Sequence, residues 1–334
     1  MAVLRGNRQL LAQIAASADS GRVCHAYLIE GAVGSGRKTV AMHMAQSFLC
    51  TAEQGRPCGE CLACRKVAKG IHPDVQILLP EKDKKTLSVD QVRQLRERAF
   101  VVPNEGRHRI TLIPDAQQMT VQAQNALLKL LEEPPSFSVF ILTAESRSQL
   151  LETICSRLVC LETEKLPAEE VMAELKQRFA GKNEDDLALA ARLGEGSVGG
   201  AVTFLQGGTA ARLMNFCTTF LQAAGDSTAR LMMLAPELLA MSKEKEDLVV
   251  RLKALRLAAR DVMVAQAGSS EMLLFKNVCQ ALQAGQGLTN AQSGSIMEAV
   301  DIACTALENS LNFRITVMNL LIRCQKTQET QRKG

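Results

Sequence analysis

The chain contains no tryptophan and one tyrosine, and only 3% of its residues are aromatic although 47% are apolar. Sandwiches and barrels lean on aromatic and β-branched strands, so an apolar fraction carried by Leu, Ala, Val and Met predicts helix-rich packing instead. Long apolar runs are also missing. No window approaches the roughly 18 residues of a membrane span, and the opening MAVLRGNRQLLAQIAASADSGR lacks the apolar core of an export signal. The expectation is a cytosolic protein. Excess charge is absent as well: a formal +4 is too small for the concentrated basic face of a dedicated nucleic-acid binder, so any DNA contact is expected to be local or indirect. No Ser-His-Asp set or paired-carboxylate constellation suggests independent catalysis, and His25, His43, His72 and His108 are scattered. At 334 residues the chain is long enough for two or three hydrophobic cores.

Cysteine, by contrast, is plentiful. Eleven of them in a large chain with an odd count argue against a disulfide scaffold. Cys50, Cys58, Cys61 and Cys64 form C-x7-C-x2-C-x2-C, with Pro57 and Gly59 supplying turns. Two such short gaps bring thiolates close enough for one tetrahedral zinc in a closed structural site. The competing reading is four free thiols or a redox pair.

Hydrophobic periodicity divides the chain. His25 to Glu30 reads as a strand, followed by a glycine loop and a helix over residues 38 to 50 through Val40, Met44 and Phe48. Further strands are predicted at 74–79, 110–113 and 138–143, and helices at 89–99, capped by Ser88, and 121–131. This alternation predicts a parallel sheet covered on both faces. Beyond about Glu162 the strand signals fade. Pro167 opens a helical stretch, a second helix covers 185–193, and GEGSVGG follows at 194–200. From Thr209 onward the chain reads as successive amphipathic helices, clearest at 245–266 with Leu248, Leu252, Leu255 and Ala259 on one stripe, and the polar tail TQETQRKG is expected to fray.

The segment Gly31-Ala-Val-Gly34-Ser-Gly36-Arg37-Lys38-Thr39 resembles a phosphate-binding loop, in which backbone N–H groups meet phosphates, a lysine reaches the terminal phosphate and the next hydroxyl binds magnesium. Aligning Gly31 and Gly36 puts Arg37 at the lysine position and Lys38 at the hydroxyl position. Sliding by one residue recovers Lys38 and Thr39 but breaks the glycine spacing. Nucleotide binding and a plain strand-to-helix turn both remain open. The strand at 110–113 ends in Pro114 and Asp115 where such sites carry two acidic residues. Proline cannot ligate a cation, and Asp115 could equally cap the next turn. Ser156 and Arg157 close the α/β region. An arginine there could stabilise a phosphoryl group in a neighbouring subunit, or simply be a surface residue.

The four-cysteine insertion, the run NALLKLLEEPP at 125–135 and Ser156-Arg157, in this order, make residues 1 to about 205 resemble the AAA+ clamp-loader family of bacterial DNA polymerase III. The helical remainder is similar mainly in length and character. The resemblance implies an α/β AAA+ domain at 1–165 with a zinc module near 50–70, a helical lid at 166–207 and an all-α collar at 208–330. It makes Thr143 the polar sensor and puts Gly199 where active motors carry a second-sensor arginine. Leu158 replaces the cysteine of the family's Ser-Arg-Cys motif, and the first cysteine gap is one residue shorter than usual. Loss of the loop lysine, magnesium aspartate and sensor arginine is similar to the family's non-hydrolysing delta-prime subunits rather than to gamma/tau. The implied partners are gamma/tau and delta, with the sliding clamp and primer-template DNA reached through the complex and Arg157 acting as an arginine finger in trans. The implied cofactor is structural Zn. Whether ATP occupies the degenerate loop stays open. The collar stripes could meet partner helices or close a self-contained bundle. Two other functions stand beside this one: an active gamma/tau-type ATPase using Lys38 and Thr39, and a zinc-dependent nucleic-acid-binding module.

Overall fold

A computed structural model describes residues 6–332 apart from 83, 85, 208–209, 242–244, 270–272, 284–287 and 309–310. The expected collar start at 208 and the last two residues of the tail lie outside the described residues. The chain forms two units, Met1–Pro167 with Gly196–Gly199, and Ala168–Glu195 with Gly200–Gly334.

The first unit alternates helices and strands: α1 (Arg8–Ser20), β1 (Ala26–Glu30), α2 (Arg37–Leu49), α3 (Leu62–Ala68), β2 (Val75–Ile77), α4 (Val89–Ala99), β3 (Arg109–Ile113), α5 (Val121–Glu132), β4 (Ser138–Ala144), α6 (Glu152–Cys155) and β5 (Val159–Glu162). The strands make one parallel sheet in the order β2-β3-β4-β1-β5. Every residue of β1 and β4 is buried, as central parallel strands covered on both faces must be. Alternate side chains enter two cores. Tyr27, Ile29, Ile110 and Ile141 pack under α1 and α2 through Leu10, Ile14, Val40, Met44 and Phe48. Leu28, Ile113, Phe140 and Leu142 pack under α4 and α5 through Val92, Leu95, Leu127 and Leu130. α1, α4 and α5 each bury one apolar stripe, whereas the second half of α2, residues 44–49, is buried on every side.

Local chemistry sets the boundaries. Ser88 accepts from the Gln91 N–H while the Gln91 side chain accepts from the Ser88 N–H, a capping box that starts α4. Thr120 accepts from the Ala123 N–H and starts α5. Because the strands are parallel, their C-terminal ends share one edge, and the loop after β1, Asp115 after β3 and Thr143 near the end of β4 all lie there.

The second unit is helical: α7 (Ala168–Arg178), α8 (Glu184–Leu193), α9 (Val198–Gly207, whose first two residues group with the first unit), α10 (Ala210–Asp226), α11 (Thr228–Met232), α12 (Ala235–Ala240), α13 (Lys245–Gln266), α14 (Lys276–Gln283), α15 (Asn290–Glu308) and α16 (Phe313–Arg332). α13 packs against α10, α14 and α15. Its stripe of Leu248, Leu252, Leu255 and Ala259 is fully buried inside this unit, so it is not the surface left for partner helices. Buried Asp261 accepts the Leu274 and Phe275 N–H groups at 2.6 and 2.8 Å and is paired with Arg260, fixing the chain before α14. α16 continues to Arg332, where fraying was expected. No helix among the described residues is long and apolar enough to cross a membrane.

Candidate functional site

The glycine loop leaves β1 at Gly31, where an added Cβ would stand 1.8 Å from Thr163 Oγ1, so only glycine fits this exit. Thr163 Oγ1 donates to Ser35 Oγ at 2.8 Å and anchors the loop to the residue after β5. On the other side, Ser197 Oγ donates to the Val33 carbonyl at 3.0 Å and the Gly199 N–H to the Gly34 carbonyl at 3.1 Å. α2 begins after Gly36 with no side-chain cap, leaving helix N-terminal amides that favour an anion.

The side chains of the same turn meet the carboxylate of Asp115. Lys38 Nζ lies 2.5 Å from Asp115 Oδ2, and Arg37 Nη2 lies 3.5 Å from Oδ1. Asp115 is held by its backbone: it adopts a left-handed φ of 50°, and its N–H donates to Thr143 Oγ1 at 3.0 Å. Its side chain makes no capping bond to the following turn, which corrects the capping alternative. Arg37 is 7% exposed, and burial pushes its guanidinium below the usual range against the opposing pull of Asp115 and Glu145. Its buried Nη1 has no protein partner. Thr39 is half-buried in the first turn of α2. Gly31, Gly34, Gly36, Arg37 and Lys38 thus form one strand-to-helix loop, with both cations on Asp115. Both cations that would meet phosphates are already turned to a carboxylate, and the carbonyls of the loop are tied to 197–199.

Glu30, the last residue of β1, is a partner that sequence reasoning missed. It accepts from Arg147 N at 3.0 Å and Nε at 3.2 Å and pairs with Nη2. Burial works to raise its carboxyl, but the Arg147 hydrogen bonds outweigh that and hold it below the usual range. No local spacing signals a contact across 117 residues.

The four sulfurs of Cys50, Cys58, Cys61 and Cys64 lie within 4.8 Å of one another. Cys50 and Cys58 are 3.6 Å apart and Cys50 and Cys61 4.0 Å, far outside disulfide bonding. Tetrahedral zinc with arms of about 2.3 Å separates sulfurs by roughly 3.8 Å, so the set fits a metal. Three backbone N–H groups point at sulfur, Cys58 to Cys50, Cys61 to Cys58 and Cys64 to Cys61, each at 3.4 Å. Burial works to raise the Cys61 thiol, but N–H groups of Cys64 and Thr51 bring it down to about 6. Cys64, deepest in the cluster, is pushed strongly up by burial. One thiol predisposed to ionise beside one that strongly resists it is a set that a cation would reconcile.

Arg157 follows α6 at the edge of the same unit and is 35% exposed. Its Nη1 donates to the Thr153 carbonyl at 2.7 Å and to Ser156 Oγ at 3.1 Å, and its Nη2 to Glu132 Oε1 at 2.7 Å. Ser156 Oγ in turn donates to the Thr153 carbonyl at 3.0 Å, so Ser156 organises the arginine. Leu158 is buried in the α4–α5 core, which gives an apolar residue a reason to stand beside the pair.

Comparisons with known proteins give the chain's relatives. Residues 6–167 match the family described as DNA polymerase III, delta subunit. The chain is 36% identical over 196 residues to DNA polymerase III subunit delta' of Escherichia coli K12, a match covering 58% of each chain. It is 30% identical over 277 residues to the delta' subunit of Yersinia pestis, covering 81% of this chain and 79% of the relative. Among solved structures, a DNA polymerase III gamma subunit-related protein of Thermotoga maritima covers 96% of this chain and 98% of its own at 18% identity and a TM-score of 0.43, a likeness too loose to add to the sequence relationship.

Proposed function

The chain belongs to the DNA polymerase III delta' family, and from that premise we propose that it is a non-hydrolysing, stator-like subunit of the clamp loader. It assembles with gamma/tau and delta in the cytoplasm, and through that complex acts on the sliding clamp and primer-template DNA during replication. The observation that carries this reading is a contrast within one unit. Lys38 and Arg37, the cations of the phosphate loop, share the one carboxylate of Asp115 as an internal partner, while Arg157 stands partly exposed at the edge. A chain whose loop cations are engaged by its own carboxylate but which presents an arginine can still serve a neighbour's triphosphate, because a guanidinium in trans stabilises charge on a transferring phosphoryl group.

In this reading residues 1–165 are the AAA+ domain, 166–207 the lid and 208–330 the collar. Since the α13 stripe is spent inside its own unit, the collar contact falls to exposed apolar residues such as Ile315 and Ile322, seven positions apart on α16. Cys50, Cys58, Cys61 and Cys64 hold a structural Zn that staples the segment between α2 and α3. When bound, the metal supplies folding stability, with no open position for chemistry. An active gamma/tau-type ATPase would need Lys38 and Thr39 facing a nucleotide, and the Asp115 pairing disfavours it.

The test is DNA-stimulated ATP hydrolysis in a loader reconstituted with gamma/tau and delta. Replacing Arg157 by alanine is expected to lower turnover about tenfold or more while assembly is preserved. Unchanged turnover in an intact complex would leave the chain a scaffold alone.

A further inference from the structure

Glu132 stands where helix electrostatics disfavour it. It is the last residue of α5, ahead of Glu133 and the two prolines that stop the helix, and a carboxylate at a helix C-terminus meets the negative end of the macrodipole. Its counter-charge comes from elsewhere in the chain, the Arg157 guanidinium 25 residues on. The other two contacts of Arg157, to the Thr153 carbonyl and Ser156 Oγ, lie within its own turn and move with it. The contact to Glu132 Oε1 ties the guanidinium to a different element, one anchored in the core by Leu127, Leu130 and Leu131. Two nitrogens of the fork are thus held from two elements, and this defines the guanidinium plane.

We propose that Glu132 is a positioning residue for Arg157: from the rigid end of α5 its carboxylate sets the orientation in which Arg157 is presented to the phosphates bound by a neighbouring subunit. This rests on the reading of Arg157 as a finger in trans. Exposed ion pairs contribute little to stability, and here the partners are 35% and 47% exposed, so the role of the pair is orientation rather than holding the fold. Pre-orienting a charged donor removes a reorganisation that would otherwise fall in the reaction step.

The experiment uses the reconstituted loader with the native chain, Glu132→Gln, Arg157→Ala and the double variant, following kcat and KM for ATP together with assembly by gel filtration. Glutamine keeps the shape and removes the charge. Glu132→Gln is expected to lower kcat about fivefold, the upper end for an exposed pair, with KM and assembly unchanged, and to add nothing once Arg157 is alanine. Native kcat in Glu132→Gln, with Arg157→Ala still impaired, would overturn the positioning role and leave the finger intact. An equal loss in both backgrounds would make Glu132 merely structural and overturn it too. Native kcat in Arg157→Ala would instead defeat the finger itself, and the positioning role with it.

Discussion

The backbone N–H of Gly199 donates to the Gly34 carbonyl at 3.1 Å, and a Cβ on Gly199 would stand 2.7 Å from Gly34 Cα. The position where the resemblance implies a sensor arginine in active motors is here a backbone-to-backbone contact on the phosphate loop. Substituting Gly199 by arginine should therefore fail to create a nucleotide contact and should destabilise the chain by about 1–3 kcal/mol through overpacking. Calorimetry would show a lowered Tm. A native Tm accompanied by new ATPase activity would refute this account.

Asp115 takes the place of a bound anion between Arg37 and Lys38. Asp115→Asn should free both cations, so that the variant binds inorganic phosphate more tightly than the native chain in titration calorimetry. ATP hydrolysis is expected in neither chain, since Pro114 offers no metal ligand. Removing the charge should also cost about 1–3 kcal/mol, because Arg37 is buried and loses a charged partner. Equal phosphate affinity in the two chains would mean that Asp115 does not gate the loop.

The cysteine cluster should carry one zinc per chain, measurable by elemental analysis. Cys64→Ser, or a strong chelator, should lower the Tm before any loss of partner binding, since removing a structural metal acts first on folding. Protons compete with the metal for thiolates, so release should rise as the pH is lowered. A metal-free chain with an unchanged Tm would argue for plain thiols.

Three histidines should make the α/β unit acid-sensitive. Burial lowers His43; burial also lowers His72, with Lys66 adding and Asp74 and Glu105 opposing; His108 is lowered by burial and Arg107. Above the unfolded value of 6.5 neither state binds these protons. As pH falls below 6.5 the unfolded chain binds them first, so stability drops until each folded value is passed. Each histidine can contribute at most about 1.4 kcal/mol per pH unit. Melting curves between about pH 7.5 and 5.5 should show a falling Tm, with a shallower slope in His43→Gln. A flat profile would show that these rings gain protons as easily folded as unfolded.

Local order was legible in the sequence wherever one segment carries the whole cause. Val40, Met44 and Phe48 predict their buried stripe because the helical period alone puts them on one face, and Ser88 with Gln91 marks the start of α4 because a capping box spans only four residues. The cysteine set was legible for the same reason, since short gaps bring sulfurs together whatever the rest of the chain does. β5 was missed: it is four residues long, lies at the edge of the sheet and is only partly buried, so it lacks the apolar run of β1 and β4. What the sequence determined by itself was the set of parts and their order: a glycine loop with shifted cations, a strand ending in Pro114-Asp115, and Ser156-Arg157 beyond. Only the tertiary structure decided their partners. Asp115 meets Lys38, Glu30 meets Arg147, Glu132 meets Arg157 and Gly199 meets Gly34 because parallel strand pairing and helix packing bring together residues 25 to 165 positions apart. No local period encodes such a meeting, since each pair depends on the register of the whole sheet and the docking of the helices around it.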